Sequence, residues 1–142
     1  MSSIIIAFAL NVACFLTAYF MLPYANALEF LGMVILLPII YNVFLITKTK
    51  LLNNSKLLTM LLYSGMTTLA YIVLGFVGTH TGFIQEFAVR NSYSDGNVTV
   101  SISENINSVS NIIFILLLQF CVMYFVKYMK DRQNHHREQY SC

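Results

Sequence analysis

Four long runs of apolar residues, separated by polar segments, set the pattern of the chain. They cover residues 4–22, 28–46, 57–77 and 109–126, and Glu29 is the one charged residue inside them. A hydrocarbon core about 30 Å thick requires about 20 helical residues to cross it. In lipid, a helix satisfies all its backbone polar groups within one segment. The pattern therefore predicts an all-α integral membrane protein with a single domain of four transmembrane helices.

The two prolines of the chain refine these helices. Pro23 follows the first run directly, where its missing amide donor suits the end of a helix. Pro38 lies near the middle of the second run and cannot donate to the carbonyl of Val34. Since its ring also crowds that turn, we expect the second helix to bend at Pro38.

The distribution of lysine and arginine predicts the orientation. Seven of these residues fall between the second and third runs or after the fourth: Lys48, Lys50, Lys56, Lys127, Lys130, Arg132 and Arg137. Arg90 alone lies on the opposite side. Cytoplasmic loops hold an excess of basic residues. We therefore expect both termini in the cytoplasm (N-in/C-in), an extracytoplasmic loop over residues 79–108, and a cytoplasmic tail over residues 127–142.

The predicted outer loop, about 30 residues long, contains two local signals. Phe83, Ile84 and Phe87 recur at helical spacing, which predicts a short amphipathic helix lying in the membrane interface. The pair Asp95-Gly96 is a turn signal, and alternating apolar residues follow it. This second pattern predicts a small β-hairpin.

Neutral polar residues inside the helices are the first candidates for a site. They are Asn11, Asn42, Ser64, Thr67, Thr68 and Gln119. Such side chains commonly form hydrogen bonds between membrane helices, each contributing about 0.6 to 2 kcal/mol. The alternative is that they line a path for ions or solutes. We favour packing, because ion paths usually carry charged rings or a backbone-lined filter.

Small residues indicate where helices approach one another. Ala9, Ala13 and Thr17 recur every four residues on the first helix. On the third, Tyr71 and Gly75 continue the Thr67 face. Such faces allow close helix contact, either within one monomer or between protomers. Because four short helices bury little surface by themselves, the pattern favours a homo-oligomer.

Glu29 is the lone charged candidate at membrane depth, and it lies at the predicted outer boundary. A carboxylate at the interface stays hydrated, so an ordinary surface role is the simpler interpretation. In an oligomer, however, Glu29 would repeat as an outer ring.

Catalytic, cofactor and metal motifs are absent from the sequence. The three cysteines, Cys14, Cys121 and Cys142, form no CxxC pair. His80 borders the third helix and His135-His136 lie in the tail, so no histidine falls within a span. A net charge of +2 is too small to indicate nucleic acid. We therefore expect a protein that is not an enzyme and that needs no cofactor.

The sequence favours a non-enzymatic small membrane protein of the cell membrane, most simply a bacterial inner membrane, acting as a sensor, scaffold or complex subunit. Examples of such roles are a phage-defence component or an immunity protein against a pore-forming toxin. The basic tail anchors the fourth helix or docks a soluble cytoplasmic protein through Lys127, Lys130, Arg132 and Arg137. The alternative function is an oligomeric channel or small-solute transporter.

Fusions to alkaline phosphatase test the orientation, since the enzyme is active only outside the cytoplasm. We expect a fusion at Ser94 to be active and fusions at Asn54 or Tyr140 to be inactive, because of the seven-to-one basic bias. The reverse activity pattern would contradict the N-in/C-in orientation.

Overall fold

The computed structural model describes residues 2–48, 56–95, 98–103 and 105–139. Helices dominate it, with one short π-helical turn and one two-stranded hairpin. In chain order the elements are α1 (Ser2–Met21), α2 (Ala27–Leu31), the π-helical turn (Gly32–Leu36), α3 (Leu37–Lys48), α4 (Lys56–His80), α5 (Phe83–Asn91), β1 (Tyr93–Asp95), β2 (Val98–Val100) and α6 (Val109–Gln139).

Four segments are long and apolar enough to cross a membrane, which confirms the predicted four-helix membrane architecture. Spans 1 to 4 are Ile4–Met21, Ala27–Thr47, Leu57–His80 and Val109–Lys130. Span 2 combines α2, the π-helical turn and α3. The end of the bundle that carries α5 and the hairpin is called the loop end here. The opposite end, where α6 continues past Lys130, is called the tail end.

The four spans pack as a bundle in which α1 and α6 lie at opposite corners. Both α3 and α4 pack against α1 and against α6, and they also touch each other across the middle. Large apolar side chains cover the outside: Phe8, Phe20, Ile40, Phe76 and Phe125 are each more than half exposed. An apolar exterior of this kind is the surface that a bilayer solvates.

Two apolar clusters fill the interior. The loop-end cluster contains Phe15, Ala18, Leu22, Phe30, Val34, Tyr71, Leu74, Ile84, Phe87, Ile106 and Ile115. The tail-end cluster contains Ala7, Tyr41, Leu45, Ile46, Met60, Tyr63 and Met123. Buried polar side chains also lie in the interior of the bundle.

Pro38 coincides with an interruption of span 2. The amide of Leu37 donates to the carbonyl of Gly32, a π-type step, so the next donor in that register would be Pro38, which has no N–H. The carbonyl of Met33 instead accepts the thiol of Cys14 at 3.1 Å. The backbone hydrogen bonding of span 2 is therefore interrupted before Pro38 by a π-helical turn. The bend of the helix axis at Pro38 stays a prediction.

Helix α5 is present at the predicted position, but its apolar face is not free to enter the interface. Ile84 and Phe87 are 1% and 3% exposed and belong to the loop-end cluster. The rings of Phe30 and Phe87 are 5.0 Å apart. A Cβ at Gly78 would lie 2.8 Å from Cδ1 of Ile84. The absence of a side chain at Gly78 therefore allows α5 to pack closely against the end of α4. The apolar face of α5 is thus buried against the membrane spans, where the sequence predicted that it would lie in the membrane interface.

The predicted hairpin is confirmed. β1 and β2 pair antiparallel, with Tyr93 opposite Val100 and Asp95 opposite Val98. Residues 96 and 97, the turn itself, lie outside the described residues. The amide of Ile102 donates to Oγ of Ser92 at 3.1 Å, which fastens the returning chain to the end of α5.

The return of the chain from the hairpin to α6 is fixed on α4. The hydroxyl of Tyr71 donates to the carbonyl of Ile106 at 2.7 Å, and Nδ2 of Asn107 donates to the carbonyl of Ile72 at 3.0 Å. Gly75 makes room for this contact, because a Cβ added at Gly75 would clash with the side chain of Asn107. The close approach expected on this face is thus made by a loop side chain.

The small residues of α1 are not used within the monomer. Ala9, Ala13 and Thr17 are all exposed, while the buried face of the same helix carries Ala7 and Ala18. Their stripe faces away from the bundle. Of the two alternatives that the sequence left open, contact inside one monomer is therefore excluded for this face.

Helix α6 continues nine residues beyond span 4, to Gln139. At about 1.5 Å per residue, the whole helix is about 46 Å long, which exceeds the hydrocarbon thickness by about half. The sequence predicted the fourth span to end at residue 126, with a cytoplasmic tail after it. The structure shows that the tail continues the same helix as far as Gln139.

Gly75→Ala tests the contact between α4 and the returning chain. A Cβ at position 75 would clash with Oδ1 of Asn107, so Asn107 must move and release the carbonyl of Ile72. We expect the free energy of unfolding to fall by about 1–2 kcal/mol in titrations with denaturing detergent.

Gly65→Ala is the matched control on the same helix, because no described atom lies within 4 Å of its added Cβ. It should leave stability unchanged or raise it by up to about 1 kcal/mol. Equal effects of the two substitutions would contradict the contact. In an Asn107→Ala background, Gly75→Ala should cost no more than Gly65→Ala does, because the side chain that a Cβ at position 75 displaces is already gone.

Candidate functional site

All the neutral polar residues singled out in the spans lie in the interior of the bundle. Asn42, Ser64, Thr67 and Gln119 are 0% exposed, Asn11 is 2% and Thr68 is 4% exposed. A buried polar group in hydrocarbon needs a hydrogen-bond partner, because neither water nor lipid provides one. The partners of these six residues decide whether they pack helices or line a path.

Asn42 of α3 joins two other helices. Its Nδ2 donates to Oγ1 of Thr67 on α4 at 2.9 Å and to Oε1 of Gln119 on α6 at 3.3 Å. Both amide hydrogens of Asn42 are thereby used. The three side chains together form a hydrogen-bonded contact among α3, α4 and α6, which is called the polar layer below.

The direction of these hydrogen bonds is set at both ends by backbone carbonyls, which only accept. Oγ1 of Thr67 donates to the carbonyl of Tyr63 at 3.1 Å. Nε2 of Gln119 donates towards the carbonyl of Ile35, in the π-helical turn, at 3.5 Å. Thr67 and Gln119 must therefore accept from Asn42. The polar layer is also anchored to the irregular part of span 2.

Tyr41 extends the connections to α1. Its hydroxyl donates to Oδ1 of Asn11 at 2.5 Å, and Nδ2 of Asn11 donates to the carbonyl of Ala7 at 2.8 Å. Tyr41 and Asn42 are adjacent in α3, so two neighbouring residues bond this helix to the other three. Sequence reasoning missed Tyr41. The available signal was a tyrosine beside an asparagine inside a span, since a buried phenol needs a partner.

Ser64 and Thr68 do not take part in contacts between helices. Oγ of Ser64 donates to the carbonyl of Leu61 at 3.1 Å, and Oγ1 of Thr68 donates to the carbonyl of Ser64 at 2.8 Å. Both hydroxyls thus bond back to their own helix, as is common for serine and threonine. Their side chains fill the core without linking α4 to a neighbour.

Glu29 has a structural partner at the start of α2. Its Oε2 accepts from the amide of Asn26, and its own amide donates to Oδ1 of Asn26, each at 2.9 Å. This reciprocal pair is a capping box, and the carboxylate also lies favourably at the positive end of the helix dipole. Helix capping accounts for an exposed acidic residue at this position without a role in conduction.

Arg90 links α5 to the segment that follows α1 at the loop end. Its Nη2 donates to the carbonyls of Leu22 and Ala25, each at 2.9 Å. These carbonyls follow the end of α1, where the last acceptors of a helix lack partners. Asn91 adds a bond, because its Oδ1 accepts from the amide of Ala27 at 2.9 Å. The sequence treated Arg90 only as the exception to the charge bias.

Lys130 makes a similar contact at the tail end. Its Nζ donates to the carbonyl of Thr47, near the end of α3, at 2.6 Å. Arg132 is exposed. Lys127 is half-buried and makes an interaction of its own. Arg137 lies within α6, and its side chain falls outside the described part of the chain.

A groove of about 490 Å³ runs along the outside of the bundle between α1 and α4. It extends from Phe8 to Tyr19 on one helix and from Met66 to Val77 on the other, and its lining is almost entirely apolar. Both stretches lie within spans 1 and 3. The groove therefore opens to hydrocarbon and presents no group for chemistry.

Candidate metal ligands do not converge in the part of the chain that the structure describes. Within residues 2–48, 56–95, 98–103 and 105–139, no three His, Cys, Asp or Glu side chains lie close enough to hold an ion. The polar layer itself contains amides and hydroxyls, which exchange hydrogen bonds but do not titrate near neutral pH.

No protein-family model matches the chain, and no curated protein or solved structure shows a significant match to it.

The polar layer predicts coupling between Asn42 and Thr67. In a double-mutant cycle of Asn42→Leu and Thr67→Val, we expect a coupling free energy of about 0.6 kcal/mol, and at most about 1.7 kcal/mol, the range measured between membrane helices. Reversible unfolding in mixed detergent micelles gives the four free energies required.

Thr17→Val is the matched control, because Oγ1 of Thr17 bonds only within α1, to the carbonyl of Ala13 at 2.9 Å, on the exposed face. Its coupling to Asn42→Leu should be zero within error. Coupling of equal size for both pairs would mean that the cycle does not report the bond between α3 and α4.

Proposed function

We propose that this protein is a non-enzymatic membrane scaffold, sensor or complex subunit that connects a folded loop end to a basic helical tail. The observation that carries the proposal is the use of polar side chains at membrane depth. Asn11, Asn42, Thr67 and Gln119 are all engaged in hydrogen bonds within the bundle. Groups that hold helices together are not free to coordinate a moving ion.

The proposed orientation places the loop end outside the cell and the tail in the cytoplasm. Seven basic residues against one support it. A bacterial inner membrane is the simplest location for a small multi-pass chain of this kind. A phage-defence component and an immunity protein against a pore-forming toxin are two forms of the role that suit this size and topology.

The loop end supports a role in recognition, because it is ordered by many contacts and yet presents apolar side chains. Arg90 and Asn91 tie α5 to the turn between α1 and α2. Tyr24, Val89 and Tyr93 are 82%, 73% and 62% exposed. Exposed aromatic and apolar residues on a fixed framework are typical of surfaces that contact a partner.

The tail supports docking on the opposite side. Lys130 is used to cap α3, whereas Arg132 and Gln133 are exposed on the helical extension. We therefore assign contact with a soluble, acidic cytoplasmic partner to the extension beyond Lys130. The outward stripe of Ala9, Ala13 and Thr17 supports a second contact, with another copy of the chain in the membrane.

Site-specific photo-crosslinking in native membranes tests this proposal. A crosslinker at Gln133 should form a protein adduct that Arg132→Gln with Arg137→Gln reduces several-fold, because the attraction to an acidic surface is lost. A crosslinker at Phe125, which is exposed within span 4, is the matched control and should form no such adduct. Lys130 is kept in every variant, so that the cap on α3 remains.

The channel alternative predicts a different set of results. Purified protein in liposomes would conduct ions, and Asn11→Leu or Gln119→Leu would reduce the conductance sharply. Glu29→Gln would change cation flux while keeping the capping box, since glutamine also serves in that motif. Conductance with these properties, and no adduct at Gln133, would overturn the scaffold proposal.

A further inference from the structure

The groove between α1 and α4 has an apolar floor and apolar rims. Phe15 and Leu74 line it, are 6% and 4% exposed, and belong to the loop-end cluster, so they form the floor. Leu69 and Val73 line it while 64% and 60% exposed, and they form a rim. Its volume of about 490 Å³ lies within the usual range of about 300–1,000 Å³ for small-ligand sites. The groove is therefore large enough for one small apolar ligand.

The two lining residues with polar side chains are Asn11 and Tyr19. Asn11 has no atom to spare, because its Nδ2 donates to the carbonyl of Ala7 and its Oδ1 accepts from Tyr41. Tyr19 is half-buried, with its ring 5.4 Å from that of Phe83 on α5. Among the described residues its hydroxyl has no hydrogen-bond partner. The groove thus offers a ligand one polar contact, at Tyr19.

The depth of the groove corresponds to that of lipid chains on the loop-end side. Tyr19 is two residues from the loop end of span 1, and Val77 is three residues from the loop end of span 3. At the other end, Phe8 and Met66 are four and nine residues from the tail ends of these spans. Eleven residues of helix extend about 17 Å, close to the thickness of one leaflet, about 15 Å.

A helix of a second copy suits this groove poorly. Membrane helices approach one another through small residues, and of the described residues that line the groove only Ala70 is small. Ala9 and Ala13 of α1 are exposed but lie outside the lining. Contact with another copy and occupation of the groove therefore use different faces of α1.

We propose that the groove binds one acyl chain of a glycerolipid from the loop-end leaflet, with the ester group of the lipid beside Tyr19. The hydroxyl of Tyr19 donates to an ester carbonyl oxygen, and the chain runs along the floor towards Phe8. Since lipid tails surround the spans in any case, the hydrophobic effect does not favour this site over the bulk bilayer. The chain is retained by dispersion contacts with the floor and both rims.

Photolabelling in nanodiscs of phosphatidylethanolamine and phosphatidylglycerol tests the site. The probe is a phospholipid with a diazirine midway along one acyl chain, and mass spectrometry locates the adducts. Leu117 is the internal control, because it is 52% exposed and lies eight residues from the loop end of span 4, while Val73 lies seven residues from that of span 3.

We expect several-fold more adduct at Val73 than at Leu117, because a bound chain stays beside Val73 longer than a bulk chain does. Equal labelling would show that only bulk lipid contacts the groove, and would overturn the proposal. Labelling of Val73 below that of Leu117 would also overturn it, because it would mean that a second copy covers the groove.

Retention of lipid in detergent gives a second readout. Native mass spectrometry of the purified protein should show one retained phospholipid. Ala70→Phe places a ring in the groove and should reduce the retained fraction several-fold, whereas Ala13→Phe adds the same ring on the exposed face of α1 and should leave it unchanged. An equal reduction by both variants would contradict a site in the groove.

The polar contact is tested by removing a single hydroxyl. Tyr19→Phe should speed dissociation of the retained lipid several-fold, because the bond to the ester is lost. Tyr24→Phe is the matched control, since Tyr24 also lies at the loop end, is 82% exposed and does not line the groove. Identical dissociation rates for the two variants would contradict the placement of the ester beside Tyr19.

Discussion

Hydrogen bonding between polar side chains in a solvent that offers no other partner is the constraint on which this bundle depends. Tyr41 and Asn42 occupy adjacent positions of α3, about 100° apart around the helix, and so reach different neighbours. Tyr41 bonds to α1, and Asn42 bonds to α4 and α6. In water such bonds would compete with solvent, but in hydrocarbon their loss leaves buried groups unpaired. The position of α3 therefore determines how the other spans are arranged.

The same demand for partners shapes the irregular part of span 2. Pro38 removes a backbone donor, and the π-helical turn before it changes which carbonyls the helix can satisfy. Cys14 of α1 donates to the carbonyl of Met33, and Gln119 of α6 donates towards that of Ile35. A proline is tolerated here because neighbouring helices supply donors. The interruption thereby becomes a point of contact with two other spans.

The ends of the bundle follow a common rule. Arg90 donates to carbonyls beyond the end of α1, and Lys130 donates to a carbonyl near the end of α3. Basic side chains suit these places, because the last carbonyls of a helix lack intrahelical partners and carry partial negative charge. Arg90 and Lys130, which both enter the charge pattern, therefore also hold neighbouring segments together, one at the loop end and the other at the tail end. Glu29 has the complementary role at the start of α2, where its carboxylate accepts from a backbone amide that has no partner within the helix.

The sequence by itself determined the four spans, the short helix and the hairpin, because span length and local periodicity depend on neighbours along the chain. It also identified the polar residues that are buried, since few polar groups occur at membrane depth. Only the tertiary structure decided their partners: it joined Asn42 to Thr67 and Gln119, turned Ser64 and Thr68 back to their own helix, and brought in Tyr41. Likewise it placed the stripe of Ala9 and Ala13 on the outside. These outcomes depend on the rotation of each helix about its axis, which is set by contacts between segments far apart in the chain.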